Sequence, residues 1–175
     1  MKITVEKVAP KDAVRVIFDE TIHASFFREK NNKSELVIKI TKRKELSRRK
    51  WFLLVREVVT LAKKHHLSRV LLDWSSLTDF PVLRRDSSET LALLTSENIL
   101  LASYEFTQYK KKGKKNYRGL SQVIVLVDTE IASSLKKGIQ TGLVRGEYIN
   151  WYRTLANIPG NDMTPKLLAG EVKRA

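Results

Sequence analysis

Cysteine is absent from this 175-residue sequence, which excludes disulfides, thiolate nucleophiles and every zinc site built on cysteine. Histidine is scarce, at three (His23, His65 and His66), so a metal site would have few nitrogen ligands to draw on. The seven glycines, at 113, 119, 138, 142, 146, 160 and 170, form neither G-x-G-x-x-G nor a Walker loop, and no G-x-S-x-G occurs. Phosphate cradles and serine-hydrolase chemistry therefore have no support in the sequence. No run approaches the ~18–20 apolar residues of a membrane span, and Met1-Lys2-Ile3-Thr4-Val5-Glu6 lacks the apolar stretch and cleavage site of a signal peptide. The expectation is a cytoplasmic chain with no membrane partner. Acidic residues are also in deficit, 19 against 33 Lys and Arg, for a formal charge of +14 that attracts polyanions in general. What is present is ample apolar content, 42% with three Trp, enough for a core of about one ordinary domain.

The first third reads as short β-rich runs. Ile3–Val8 and Val14–Phe18 have β-branched content, and Leu36, Ile38 and Ile40 fall on one face at period two, as in a half-buried strand. Arg28–Ser34 has the polar composition of an exposed loop or hairpin connection. From Ser47 the period changes: Trp51, Leu54, Val55, Val58 and Ala62 make one helical stripe, closed by His65-His66. Val70–Trp74 follows, and after a polar break comes Asp86-Ser87-Ser88-Glu89, whose D-x-x-E form suggests a capping box for a helix reaching Tyr104. Val123–Val127 is apolar without alternation, as in a strand covered on both faces. Asp128 then stands as the cap of a long helix over about 130–157, ended by Pro159-Gly160, and Thr164-Pro165 opens a last helix. Gly138, Gly142 and Gly146 lie four apart in the long helix, and close packing against another backbone is the expected compensation for their low helix propensity. The fold class is α/β, a mixed β-sheet between helices.

Near its end the sequence carries Asn157-Ile158-Pro159-Gly160-Asn161-Asp162-Met163-Thr164-Pro165, followed by Leu167, Leu168 and Ala169. This stretch resembles the N-x-P-x-N-D-[LM]-T-P-x-x-L-A signature at the start of the catalytic domain of leucyl (cytosol) aminopeptidases. Trp151-Tyr152-Arg153-Thr154-Leu155-Ala156 stands in the place of that family's A-R-D-L-x-N, without its acidic residue. Tyr104-Glu105-Phe106-Thr107-Gln108-Tyr109-Lys110 is similar to its Y-x-F-x-x-Y-K segment. The match runs in order from about residue 98 to 175. Before Arg85 it rests on the order of elements alone.

The resemblance implies an amino-terminal α/β domain over 1–128 with a macro-domain-like fold, a linker helix over 129–158, and the start of a peptidase catalytic domain over 159–175. It implies a parent enzyme that releases amino-terminal residues from peptides with two divalent metal ions, zinc or manganese. Its implied partners are a catalytic domain of the same polypeptide and further copies in a hexamer. The family's K-G-x-x-F-D-S-G-G and N-T-D-A-E-G-R-L segments have no counterpart here, so this chain is expected to be inactive, with no catalytic, cofactor-binding or metal residues of its own. Without that centre it should be a monomer or weak oligomer, with the three helical glycines and the last helix's apolar residues partly exposed.

Two other constellations merit weighing. Asp73, Asp79 and Asp86 are close in sequence, but they fall on a strand end, a loop and a helix cap, where turn and capping roles account for them. Lys110, Lys111, Lys112, Lys114, Lys115 and Arg118 put six positive charges on one short segment, and Lys39, Lys42, Arg43, Lys44, Arg48, Arg49 and Lys50 form a second basic region. A DNA-binding module is therefore the alternative function, in line with DNA binding by some members of the family, and a solvated loop is the plain reading.

Overall fold

The structure is a computed structural model, and it describes residues 1–30, 33–110 and 119–174. Among these residues six strands form one sheet: β1 (Lys2–Glu6), β2 (Val14–Asp19), β3 (Phe26–Lys30), β4 (Lys33–Lys39), β5 (Arg69–Asp73) and β6 (Gln122–Leu126), in the order β1-β6-β5-β2-β4-β3. All neighbours are parallel except β3 and β4. Among the described residues five α-helices accompany them: α1 (Arg48–Lys64), α2 (Trp74–Thr78), α3 (Ser88–Ser103), α4 (Ala132–Asn157) and α5 (Pro165–Arg174). The α/β class and mixed sheet expected from the sequence are what the structure has. Val70, Leu72, Val123 and Val125 join the main core, while Leu71 and Ile124 are buried on the opposite face. The central strands are thus covered on both sides, which is why they read as unbroken apolar runs.

Several local expectations are corrected. Of the loop or hairpin connection expected at Arg28–Ser34 the second holds: Phe26–Lys30 is an edge strand paired antiparallel to β4, and its polar composition reflects exposure rather than lack of structure. Asn31 and Asn32 lie outside the described residues. β4 buries Val37 as well as Leu36 and Ile38, so it is covered on both faces and not half-buried. The cap of α3 is Ser87, whose hydroxyl accepts from the Thr90 amide at 3.1 Å, and Asp86 instead pairs with Arg48 at 2.7 Å. With a cation in reach, the carboxylate gains more from an ion pair than from an amide its neighbour already serves. Asp128 does not cap α4 either, because a 3-10 turn at Thr129–Ile131 intervenes and Ile131 takes the cap position.

Helix α1 follows the stripe read from the sequence. Ser47 caps it, and Trp51, Leu54, Val55, Val58, Val59 and Ala62 are buried. The Trp51 indole donates to the Leu77 carbonyl at 3.0 Å, so the largest core side chain leaves no polar atom unpaired. At the other end the His66 amide donates to the Lys63 carbonyl and the Leu67 amide to that of Ala62, with His66 at φ 55°. This is a Schellman ending with a histidine in the left-handed position usually taken by glycine. The two histidines thus sit at a helix C-terminus, as read from the sequence.

The closest packing in the molecule is between α3 and α4. A Cβ placed at Gly138 would lie 2.2 Å from the Glu89 carbonyl oxygen, and one at Gly142 would lie 2.2 Å from that of Leu93 and 2.1 Å from the Ser96 hydroxyl. At Gly146 it would meet the Leu100 side chain at 2.9 Å. The close approach expected of the glycine series is therefore present, and its partner is α3. The three glycines are buried, contrary to the expectation that they would lie partly open. Across the sheet α1 lies against β4, α3 against α1, and α4 against α3 and β1.

Two predictions follow from this packing and from the cap of α2. Gly142→Ala should lower the free energy of unfolding by about 2 kcal/mol, because overpacking against a backbone outweighs the roughly 1 kcal/mol alanine gains in helix propensity. Gly170→Ala, in α5 with nothing near its position, should raise it by about 0.5–1 kcal/mol. Urea unfolding of both variants checks the pair, and equal effects would contradict it. Asp73 ends β5 and caps α2, accepting from Ser75 Oγ at 2.6 Å and from the amides of Ser75 and Ser76. Partial burial opposes its ionisation, but these hydrogen bonds and Arg15 outweigh that and hold its carboxyl below the usual range. A depressed folded-state pKa gives stability that is complete at neutral pH and lost as pH falls below about 4. Asp73→Asn should therefore flatten the drop in urea midpoint between about pH 5 and pH 3.

Candidate functional site

The sequence segments that carried the family resemblance meet at the C-terminal end of α3. An α-helix leaves its last four carbonyls without intrahelical partners. In α3 these belong to Leu100, Leu101, Ala102 and Ser103, and the two neighbouring helices supply donors to each. Asn150 Nδ2 donates to the Leu100 carbonyl at 3.1 Å and Arg153 to that of Leu101 at 3.0 Å. Lys63 Nζ, from the last turn of α1, donates to the carbonyls of Ala102 at 3.3 Å and Ser103 at 2.9 Å, and pairs with Glu105 at 3.1 Å. Two cations thus face the negative end of the α3 dipole.

Tyr104 continues directly from that end. The Arg153 guanidinium lies 4.1 Å from the centre of its ring, a cation–π contact. Its hydroxyl lies 3.2 Å from Thr154 Oγ1 and accepts from Asn157 Nδ2 at 3.3 Å. Further along, Tyr109 donates to Asp162 of the N-D-M-T-P stretch, and this bond raises the Tyr109 pKa above its ordinary value. The Y-x-F-x-x-Y-K segment, the W-Y-R-T segment and the N-x-P-x-N-D stretch therefore touch one another. Sequence reading identified the three segments but not Asn150 or the joint role of Arg153, Thr154 and Asn157. Their spacing of three and four on α4 is the signal that could have found them.

Donors committed in this way hold two helices to a third. Among the described residues, no three His, Asp or Glu side chains are grouped as a metal site. Asp73, Asp79 and Asp86 do not converge, each being held by its own arginine: Arg15 at 3.4 Å, Arg43 at 3.4 Å and Arg48 at 2.7 Å. The second basic region is thereby partly spent on structure, since Arg43 also pairs with Glu20 and stacks on Phe80. Lys39, Lys44, Arg49 and Lys50 are exposed. Of the six residues expected to contact nucleic acid, Lys110 is exposed, its amide donating to the Thr107 carbonyl at 3.0 Å. Lys111, Lys112, Lys114, Lys115 and Arg118 lie outside the described residues.

Beyond the junction, α4 and α5 present apolar side chains to solvent. Tyr152 is 68% exposed, and Val144, Leu167, Leu168 and Val172 are exposed as well. The apolar residues of the last helix are open, as the sequence suggested.

No family model matches the chain. Curated relatives do. It is 37% identical over 100 residues to a probable cytosol aminopeptidase of Bacillus subtilis, covering 57% of this chain and 19% of the relative. It is 33% identical over 137 residues to that of Aromatoleum aromaticum, covering 77% of this chain and 26% of the relative. The chain thus spans only about a fifth to a quarter of the relatives it matches. Among solved structures, a mutant of tomato leucine aminopeptidase superposes with a TM-score of 0.66 at 15% identity, over 99% of this chain and 42% of that one. The bottromycin maturation enzyme BotP, in complex with Mn, gives a TM-score of 0.64 at 14% identity, over 94% of this chain and 36% of that one. At such identity the structural likeness speaks for the fold. Together with the sequence similarity it makes this chain a relative of the leucyl (cytosol) aminopeptidase family, with the architecture of that family's amino-terminal domain.

Proposed function

We propose that this chain is the non-catalytic amino-terminal part of a cytoplasmic metallo-aminopeptidase, serving to seat and orient a catalytic domain. The division is the one the sequence suggests: an α/β domain over 1–128, a connecting helix over 129–158, and the opening of the catalytic domain over 159–175. The observation that carries the reading is the contact between Tyr104, Arg153 and Asn157, continued by Tyr109 with Asp162. These side chains fix the direction in which the backbone leaves α4, and hence where a following domain would stand. The open apolar face of α4 and α5 is of the kind that a covering domain buries.

Peptide hydrolysis by two bridged divalent ions requires a cluster of carboxylates to hold the metals and activate a water. Asp73, Asp79 and Asp86 are held one by one by arginines, Asp73 also by the cap of α2, which does not suit them to that task. In the proposed parent, zinc or manganese would be bound by the catalytic domain, and assembly into larger oligomers would follow from that domain's contacts.

The test is hydrolysis of leucine p-nitroanilide by the purified chain with added Zn²⁺ or Mn²⁺. The expected result is no rate above the buffer blank and no metal retained after dialysis. A metal-dependent rate that copurifies with the chain would overturn the reading.

A further inference from the structure

The two edges of the sheet are unlike. β3 carries Arg28, Glu29 and Lys30 in its five residues, a charge density that discourages pairing with another strand. β1 reads Lys2-Ile3-Thr4-Val5-Glu6, uncharged through its middle, with no proline and no positive-φ residue. Among the described residues no strand lies beyond it.

Its inner side is settled by the ladder to β6. The Lys2 amide donates to the Ser121 carbonyl at 2.8 Å, and the Glu6 carbonyl accepts from the Val127 amide at 3.1 Å. In a parallel ladder alternate residues hold both bonds to one neighbour. Lys2, Thr4 and Glu6 are thus spent on β6, and the backbone groups of Ile3 and Val5 point outward.

We propose that β1 pairs antiparallel with β1 of a second copy of this chain, about a two-fold axis through Thr4. The sequence is self-complementary in that register. Ile3 faces Val5 of the other copy in hydrogen-bonded pairs, which use the very backbone groups that β6 leaves free. Lys2 faces Glu6 of the other copy in the intervening pairs, where side chains come closest, so the dimer contains two opposite-charge pairs. On one face of the sheet, a groove of about 400 Å³ runs beside β1, lined by Ile3, Val5, Lys136, Ile139, Gln140 and Leu143 among others. The Ile3 and Val5 side chains of the second copy would extend its apolar wall. A shift of one residue would pair groups that face β6 with groups that face out, and a shift of two would lose the charge matching. The inference stands apart from the aminopeptidase reading, since it uses only β1 and its surroundings.

Charge reversal tests it without disturbing the core, because Lys2 and Glu6 are exposed. By sedimentation equilibrium up to about 0.5 mM in about 0.15 M salt, the chain should be a reversible dimer. Lys2→Glu and Glu6→Lys should each weaken it about tenfold or more, since each creates two like-charged pairs. The double variant should restore it. Those two reversals change the net charge in opposite directions, so an effect of overall charge would move them oppositely, whereas local pairing weakens both. Hydrogen exchange supplies a second readout: the Ile3 and Val5 amides should gain protection with concentration, while that of Thr4 should not change. A chain that stays monomeric, a dimer indifferent to both reversals, or a double variant no better than the singles would each overturn the proposal.

Discussion

The backbone contact between α3 and α4 is the constraint on which the rest of the structure depends. Gly138 and Gly142 bring α4 to within a distance of the Glu89 and Leu93 carbonyls that no side chain would allow. Each glycine costs about 1 kcal/mol of helix propensity, so the sequence spends stability locally to obtain that approach. The gain appears two turns further on. Because the helices run so close, a short Asn150 side chain reaches the end of α3, and Arg153 can bind the Leu101 carbonyl while lying over Tyr104. Arg145, paired with Glu97 at 3.0 Å, and Lys137, paired with Glu89 at 3.1 Å, flank the same seam.

The proposed function follows from what this arrangement uses up. Asp73, Asp79 and Asp86 are held by a cap and by arginines, and Lys63, Asn150 and Arg153 by the end of α3. What remains is a basic exterior and the apolar face of α4 and α5. Such a surface suits a domain that is held by, and holds, another body of protein. The relatives are named as aminopeptidases, and this chain spans only 19% and 26% of the length of the two compared. The proposed scaffold role rests on the contact of Tyr104 with Arg153 and Asn157 at the end of α4.

Much of the fold was legible because strong periodicity leaves little choice. The Trp51–Ala62 stripe could only be an amphipathic helix, and the unbroken Val123–Val127 run matched a strand covered on both faces. Some of the misreadings concern segments whose structure is decided by what lies beside them. Phe26–Lys30 is a strand because β4 lies beside it. The cap of α3 moved from Asp86 to Ser87 because Arg48, 38 residues away, takes the carboxylate. Helix α2 is only five residues long and is fixed by Asp73 at its start, too short for any period to announce it. The junction was half legible: its motifs stood out as a family resemblance, whereas the hydrogen bonds that join them required α3 and α4 to be in place.

Native-state hydrogen exchange resolved by residue tests the central role of the α3–α4 seam most directly. If that seam carries the fold, the amides from Leu135 to Gly146 exchange only through global unfolding, with the same free energy as those of Val70–Leu72 and Val123–Val125, while α5 exchanges much faster. Exchange of the α4 amides at the rate of α5, with the sheet still protected, would show that the long helix detaches as a unit and would contradict the account.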